Sequence, residues 1–329
     1  MYKFEDLLKI RKKEGTNELY KRQDGKFVLW FPVNVIEGSS VEATLNDLFV
    51  KYYQLLEKNI NGGELSDALN TEDLNAVKRD CETIQHVLSL YLLGDVIGAY
   101  KLFREMMDRC IDDFPIKEVE HNYKFYRMRR ELGLTTKEEF YHLPTTMREK
   151  CSSERFSIAG YPCFYMGYSK NDCFEEISDT GSMIDFELRK DESIEEVLDL
   201  TYYEGQKNNE GLRKFLLTFP MIASCYVVME DKKKEENAKF REEYIIPQML
   251  TSYLKQKEKY NGICYYSVRN ENLKPVEENP VDDFRNLALF PHFAKGSEYD
   301  MKLMNKFEWN EKPLLVVAKQ SFEINLLKK

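Results

Sequence analysis

Apolar residues recur every three or four positions through the first third of the chain. Beyond it the pattern changes to short runs of β-formers. Leu45, Leu48, Phe49, Tyr52, Leu55, Leu56 and Ile60 share one helical face. Ser39 is the expected cap of that helix, Glu42 three residues later completes a capping box, and Asn61-Gly62-Gly63 is the stop. A second helix is predicted with Thr71 as cap and Glu72 and Asp73 in its first turn, where carboxylates suit the positive end of the helix dipole. Its stripe is Leu74, Val77, Cys81, Ile84, Leu88 and Tyr91, and Gly94 ends it. Asp95 caps a third helix running to about Cys110, with Val96, Ala99, Leu102, Phe103 and Met106 facing inward. Ahead of these, residues 1–13 carry a short amphipathic pattern and Asp24-Gly25 marks a turn. Residues 26–35 read as an edge strand or extended segment, because Pro32 cannot donate to a ladder.

Asp112-Asp113-Phe114-Pro115 reads as a boundary. Beyond it, strands are predicted at 184–187, 197–201, 262–268, 286–290 and 314–318, with the tail 321–327 pairing to the last. Residues 211–228 form a long apolar helical region bent at Pro220. Residues 240–254 form another helix, with Pro247 tolerated in its first turns. The charge run 231–237 is a solvated loop. Helices first and mixed elements afterwards imply an α+β protein, with a mainly helical region at 1–115 and a mixed domain at 116–329.

Composition narrows the functional classes. The 329 residues carry 48 Lys and Arg against 57 Asp and Glu, a net charge of -9, which disfavours a broad nucleic-acid surface. Two or three arginines can still hold one pyrophosphate. The seven cysteines are scattered and lack a Cys-x-x-Cys pair, and the four histidines lie far apart. Neither a disulfide framework nor a metal site is expected, and the reading is a reduced cytoplasmic protein without a membrane span or signal peptide.

One stretch concentrates candidate chemistry: residues 155–176, RFSIAGYPCFYMGYSKNDCFEE. Arg155 opens it and Gly160-Tyr161-Pro162 makes a turn. Cys163 to Gly167 form a short buried strand, and a paired acid, Glu175-Glu176, follows. Turn, strand, link and acid place an arginine, a tyrosine and a carboxylate where they can meet one small ligand. No Gly-x-Gly-x-x-Gly, Gly-x-x-x-x-Gly-Lys or Gly-x-Ser-x-Gly motif is present, so Rossmann, P-loop and nucleophile-elbow chemistries are unsupported.

This stretch resembles the RES-domain family. The likeness extends in order to Phe125-Tyr126-Arg127-Met128-Arg129, to Arg155 through Gly160, to Tyr165 and Glu176, to Gly262 through Ser267 and to Arg285 through Phe290. Where many members have glycines before the second arginine and a tryptophan after it, this chain reads Glu154-Arg155-Phe156. The resemblance implies an ADP-ribosyltransferase-like fold, NAD as the consumed substrate, no metal, and a toxin of a toxin–antitoxin or phage-defence system with a possible antitoxin partner. It also implies the roles. Glu176, with Glu175 as the neighbouring alternative, is the carboxylate that helps an oxocarbenium-like state. Arg127 and Arg155 hold the phosphates, with Arg129 behind Arg127 on the same strand face. Tyr165 stacks on the nicotinamide. Ser267 and Asn286 orient the ligand. A transferase that modifies a protein target and a non-catalytic nucleotide-binding or interaction module stay open as alternatives to hydrolysis.

Overall fold

The computed structural model describes residues 20–21, 27–28, 32–35, 38–60, 65–177, 179–201, 209–229, 240–268, 285–310, 312–317 and 325–327. The amphipathic pattern at 1–13, the turn at 24–25, the stop at 61–63 and the charge run at 231–237 lie outside these residues. In chain order the first elements are β1 (Tyr20–Lys21), β2 (Phe27–Val28), β3 (Val33–Val35), α1 (Val41–Ile60), α2 (Thr71–Leu92) and α3 (Val96–Cys110). Then come β4 (Ile116–Val119), β5 (Lys124–Arg129), α4 (Lys137–Phe140), β6 (Phe164–Gly167), α5 (Lys170–Ile177), β7 (Gly181–Leu188) and β8 (Ile194–Asp199). The last are α6 (Asn209–Cys225), β9 (Val227–Met229), α7 (Ile245–Lys257), β10 (Gly262–Tyr266), β11 (Arg285–Leu289), α8 (Met301–Asn305), β12 (Phe307–Trp309), β13 (Leu314–Val317) and β14 (Asn325–Leu327). The fold is α+β.

The chain divides into two compact units. One holds the described residues of 1–115 and 202–253, and the other those of 116–201, 254–268 and 285–327. This differs from the sequence-based division at 202–253, because α6 packs its apolar face on α2. In this helical unit the stripes of α1 and α2 are buried except at Leu55, Ile60 and Tyr91, which are half-buried, and the caps shift by one residue. Ser40, not Ser39, accepts from the Ala43 amide at 3.0 Å. Asn70, not Thr71, caps α2, in a reciprocal box with Asp73. Asp95 caps α3 through the Gly98 amide, and Val96, expected inward, is 47% exposed. Pro220 does not stop α6. It has no N–H for the carbonyl four residues back, Leu216, and the Tyr52 hydroxyl donates to that carbonyl at 2.6 Å instead.

The second unit is built on one mixed sheet, in the order β14-β13-β7-β5-β6-β11-β10-β8-β4, with β12 also paired to β7. All pairs are antiparallel except β10 with β8. The tail pairs with β13 as the sequence pattern predicts. Side chains alternate across a sheet, so register sorts them onto two faces. One face carries Phe125, Phe164, Met166, Ile184, Phe186, Leu287 and Leu289, the larger core. The other carries Met128 and Met183, against which α5 lays Cys173, with Phe174 and Ile177 beside it.

Candidate active site

The site is assembled on the face that α5 covers. Three strands place Gly167 of β6, Asn286 of β11 and Tyr265 of β10 in one row across the sheet. In α5, Cys173 faces the sheet, and its Sγ donates to the Tyr126 carbonyl at 3.0 Å. Glu176 lies three residues further on, which brings it to the same side of the helix. Its Oε1 accepts from the Ser267 hydroxyl at 2.7 Å and from the Asn286 side-chain amide at 3.1 Å. Ser267 directly follows β10, two residues after Tyr265, so the pleat turns it to the same face. Both donors are buried, Ser267 completely, while Glu176 keeps partial exposure. A carboxylate so held has a fixed direction at the edge of a covered face.

Gly167 makes this approach possible. A Cβ there would stand 2.9 Å from Cys173 Sγ and 3.2 Å from Asn286 Oδ1. Any side chain would push α5, and Glu176 with it, off the sheet.

Arg155 lies in a tight turn closed by the paired backbone groups of Glu154 and Ser157, and its side chain is buried. Tyr165 holds the turn. Its hydroxyl accepts from the Phe156 amide at 3.1 Å and stands 3.1 Å from Ser157 Oγ. Cys163 Sγ donates to the Phe156 carbonyl at 3.2 Å. The Phe156 ring packs on Tyr265 with centroids 4.7 Å apart. Tyr265 is the register partner of Asn286, so the turn and the Glu176 carboxylate are joined through one row of contacts. Gly160, at φ +79°, closes the loop that returns the chain to β6, in the left-handed region that glycine enters freely. Burial pushes the Tyr165 hydroxyl pKa up, and the phenol serves the turn as a neutral group.

The structure therefore brings together Glu176, Ser267 and Asn286, and sets Tyr165 and the turn that carries Arg155 on the same face. It does not bring Arg127 and Arg129 there. Both project from β5 on the side of Phe125, opposite the face that carries Met128 and α5. Strand alternation turns their side chains to the face opposite Glu176. The Glu175 side chain lies outside the described part of the chain. Sequence reading missed Gly167, Tyr265 and Phe156. Gly167 was visible as a glycine ending an apolar strand just before an acid-bearing helix, but the ring pair has no local signature. Among the described residues no group of three or more His, Cys, Asp or Glu could hold a metal ion. No helix among them is long and apolar enough to cross a membrane.

The chain is 28% identical over 307 aligned positions to a Bacillus subtilis (strain 168) protein named "Putative toxin YopC". The match covers 84% of this chain, which spans 66% of that relative's length. No family model and no solved structure matches the chain.

Proposed function

We propose that the mixed-sheet unit is an NAD-consuming toxin domain of the RES type, which breaks the nicotinamide–ribose bond with Glu176 as its central carboxylate. The observation that carries this reading is the double anchoring of one Glu176 oxygen by Ser267 and Asn286. Positive charge develops on the ribose as the bond breaks, and a carboxylate of fixed direction stabilises it without reorganising. The N-glycosidic bond breaks with its electron pair going to nicotinamide, which leaves neutral. Water adds at the ribose carbon and loses a proton to solvent, giving ADP-ribose. Arg155 supplies the cationic fork for the pyrophosphate. Tyr165 acts through the turn it clamps, as a positioning residue.

The toxin role is drawn from the name of the relative and from the RES resemblance, and the same analogy proposes a neutralising partner that covers the site. The test is NAD turnover by the purified chain beside Glu176→Gln, which keeps size and removes charge. Turnover in the wild type and its loss in a folded variant support the reading. Equal turnover in both removes Glu176 from it. A discrete labelled band after incubating labelled NAD with a lysate would move the acceptor from water to a protein.

A further inference from the structure

In the helical unit, α2 passes into α3 through Tyr91-Leu92-Leu93-Gly94-Asp95-Val96-Ile97, a stretch whose single charge is Asp95. Apolar side chains of this size are normally drawn out of water. Here Leu93 is 82% exposed and Ile97 84%, and Leu92 and Val96 are exposed beside them. Phe240, also exposed, stacks on Tyr91 with ring centroids 6.5 Å apart and widens the patch. Large apolar side chains gathered in one exposed place mark an interaction surface.

The main chain of the turn pairs within itself. The Asp95 amide donates to the Leu90 carbonyl at 2.9 Å and the Gly94 amide to the Tyr91 carbonyl at 3.0 Å. Gly94, at φ +90°, allows this reversal. Asp95 Oδ1 accepts from the Gly98 amide at 2.9 Å, and the Asp95 carbonyl accepts from the Ala99 amide at 3.0 Å. Backbone groups satisfied internally cost little when they leave water. The nearby cations are placed to match an anionic lipid surface. Ile97, Lys101 and Arg104 follow at steps of four and three and share one face of α3. At a rise of about 1.5 Å per residue, Lys101 stands about 6 Å and Arg104 about 10 Å from Ile97 along the helix. Both are exposed, and Arg104 also reaches Asp108 at 3.7 Å, a surface pair of the weak kind. Amphipathic segments bury their apolar residues about 5–10 Å into the boundary between headgroups and acyl chains. With Ile97 at that depth, the two cations stand at the level of the lipid phosphates. Acids farther than about 8 Å from those phosphates are screened at physiological salt, so the net charge of the chain does not decide the contact. We propose that the α2–α3 turn is a membrane-surface anchor, which inserts Leu92, Leu93, Val96 and Ile97 shallowly into an anionic bilayer and sets Lys101 and Arg104 on its phosphates. This surface belongs to the helical unit and does not depend on the NAD reading.

The experiment is flotation of the purified full chain with vesicles of phosphatidylcholine mixed with phosphatidylglycerol, beside vesicles of phosphatidylcholine alone. The chain is expected to float with the mixed vesicles and more weakly with the neutral ones. Leu93→Ser and Ile97→Ser should each weaken the apparent affinity about tenfold or more, the loss of one inserted apolar side chain. Lys101→Gln and Arg104→Gln should each weaken it about fivefold on mixed vesicles and leave neutral vesicles unaffected. All four positions are exposed, so the variants keep the wild-type Tm. Glu176→Gln should float like the wild type. No flotation with either vesicle overturns the proposal, as does flotation that survives both serine variants. Equal flotation with both vesicles overturns the role of the two cations. A lipid-free dimer that sediments as such and is lost in Leu93→Ser overturns the anchor and gives the patch to a second copy of the chain. NAD turnover is not read in this experiment, so the two proposals fail independently.

Discussion

The two faces of the large sheet treat charge in opposite ways. On one, the Glu176 carboxylate receives two side-chain donors from neighbouring strands. On the other, Arg127 and Arg129 reach only main-chain carbonyls and leave both Nε atoms unpaired among the described residues. The first arrangement fixes a charged group in one direction with neutral donors. The second holds two cations against main-chain carbonyls. Residues one position apart on β5 and β6 thus belong to different environments, because the pleat sends neighbours to opposite sides.

The largest expected effect breaks the first face at its centre. Glu176→Gln should lower NAD turnover by about a thousandfold, of the order seen when preorganised transition-state electrostatics are removed. Circular dichroism would confirm that the variant is folded. On the arginine face, the comparison is sharpened by His142, which is buried and hydrogen-bonded only as a neutral ring. Its Nδ1 donates to the Leu143 carbonyl and its Nε2 accepts from the Asp300 amide. Desolvation, with the charges of Arg127 and Arg129, lowers its pKa from 6.5 to about 4. The unfolded chain therefore binds the proton more readily than the folded one. His142's contribution is complete above about pH 6.5 and lost as pH falls toward 4, a change of about 3 kcal/mol. Denaturant unfolding across that range should show the slope, and His142→Gln should flatten it.

Gly167→Ala tests how closely α5 must approach the first face. The added methyl meets Cys173 Sγ and the Asn286 amide, and overpacking of this kind costs about 2 kcal/mol. Turnover should fall with stability, as Glu176 moves with its helix. The smallest effects belong to the two donors. Ser267→Ala and Asn286→Ala should each lower turnover about tenfold, with KM for NAD little changed, since each acts through Glu176. In the Glu176→Gln background neither should cost more. A further loss there would show direct contact with the ligand, the role that the family resemblance gives them.

Much of this was legible in the residues. The stripes of α1 and α2 and the strands at β6, β10 and β11 follow from local periodicity, which needs no partner to be read. The cap shifts from Ser39 to Ser40 and from Thr71 to Asn70 were not, because adjacent small polar residues offer the same oxygen and only backbone geometry chooses between them. Residues 202–253 read as part of the later domain because chain order does not reveal which helix another will pack on.

By itself, the sequence determined an α+β chain with helices first, a short strand carrying Tyr165 and a nearby acid at Glu176. These are local properties of spacing and propensity. Only the tertiary structure decided which of the singled-out residues share a site. Glu176 meets Ser267 and Asn286 across gaps of 91 and 110 residues. Arg127, nearer in sequence than either, is turned away. Strand pairing and the side on which α5 packs set these partners, and both arise from long-range burial that no local pattern contains.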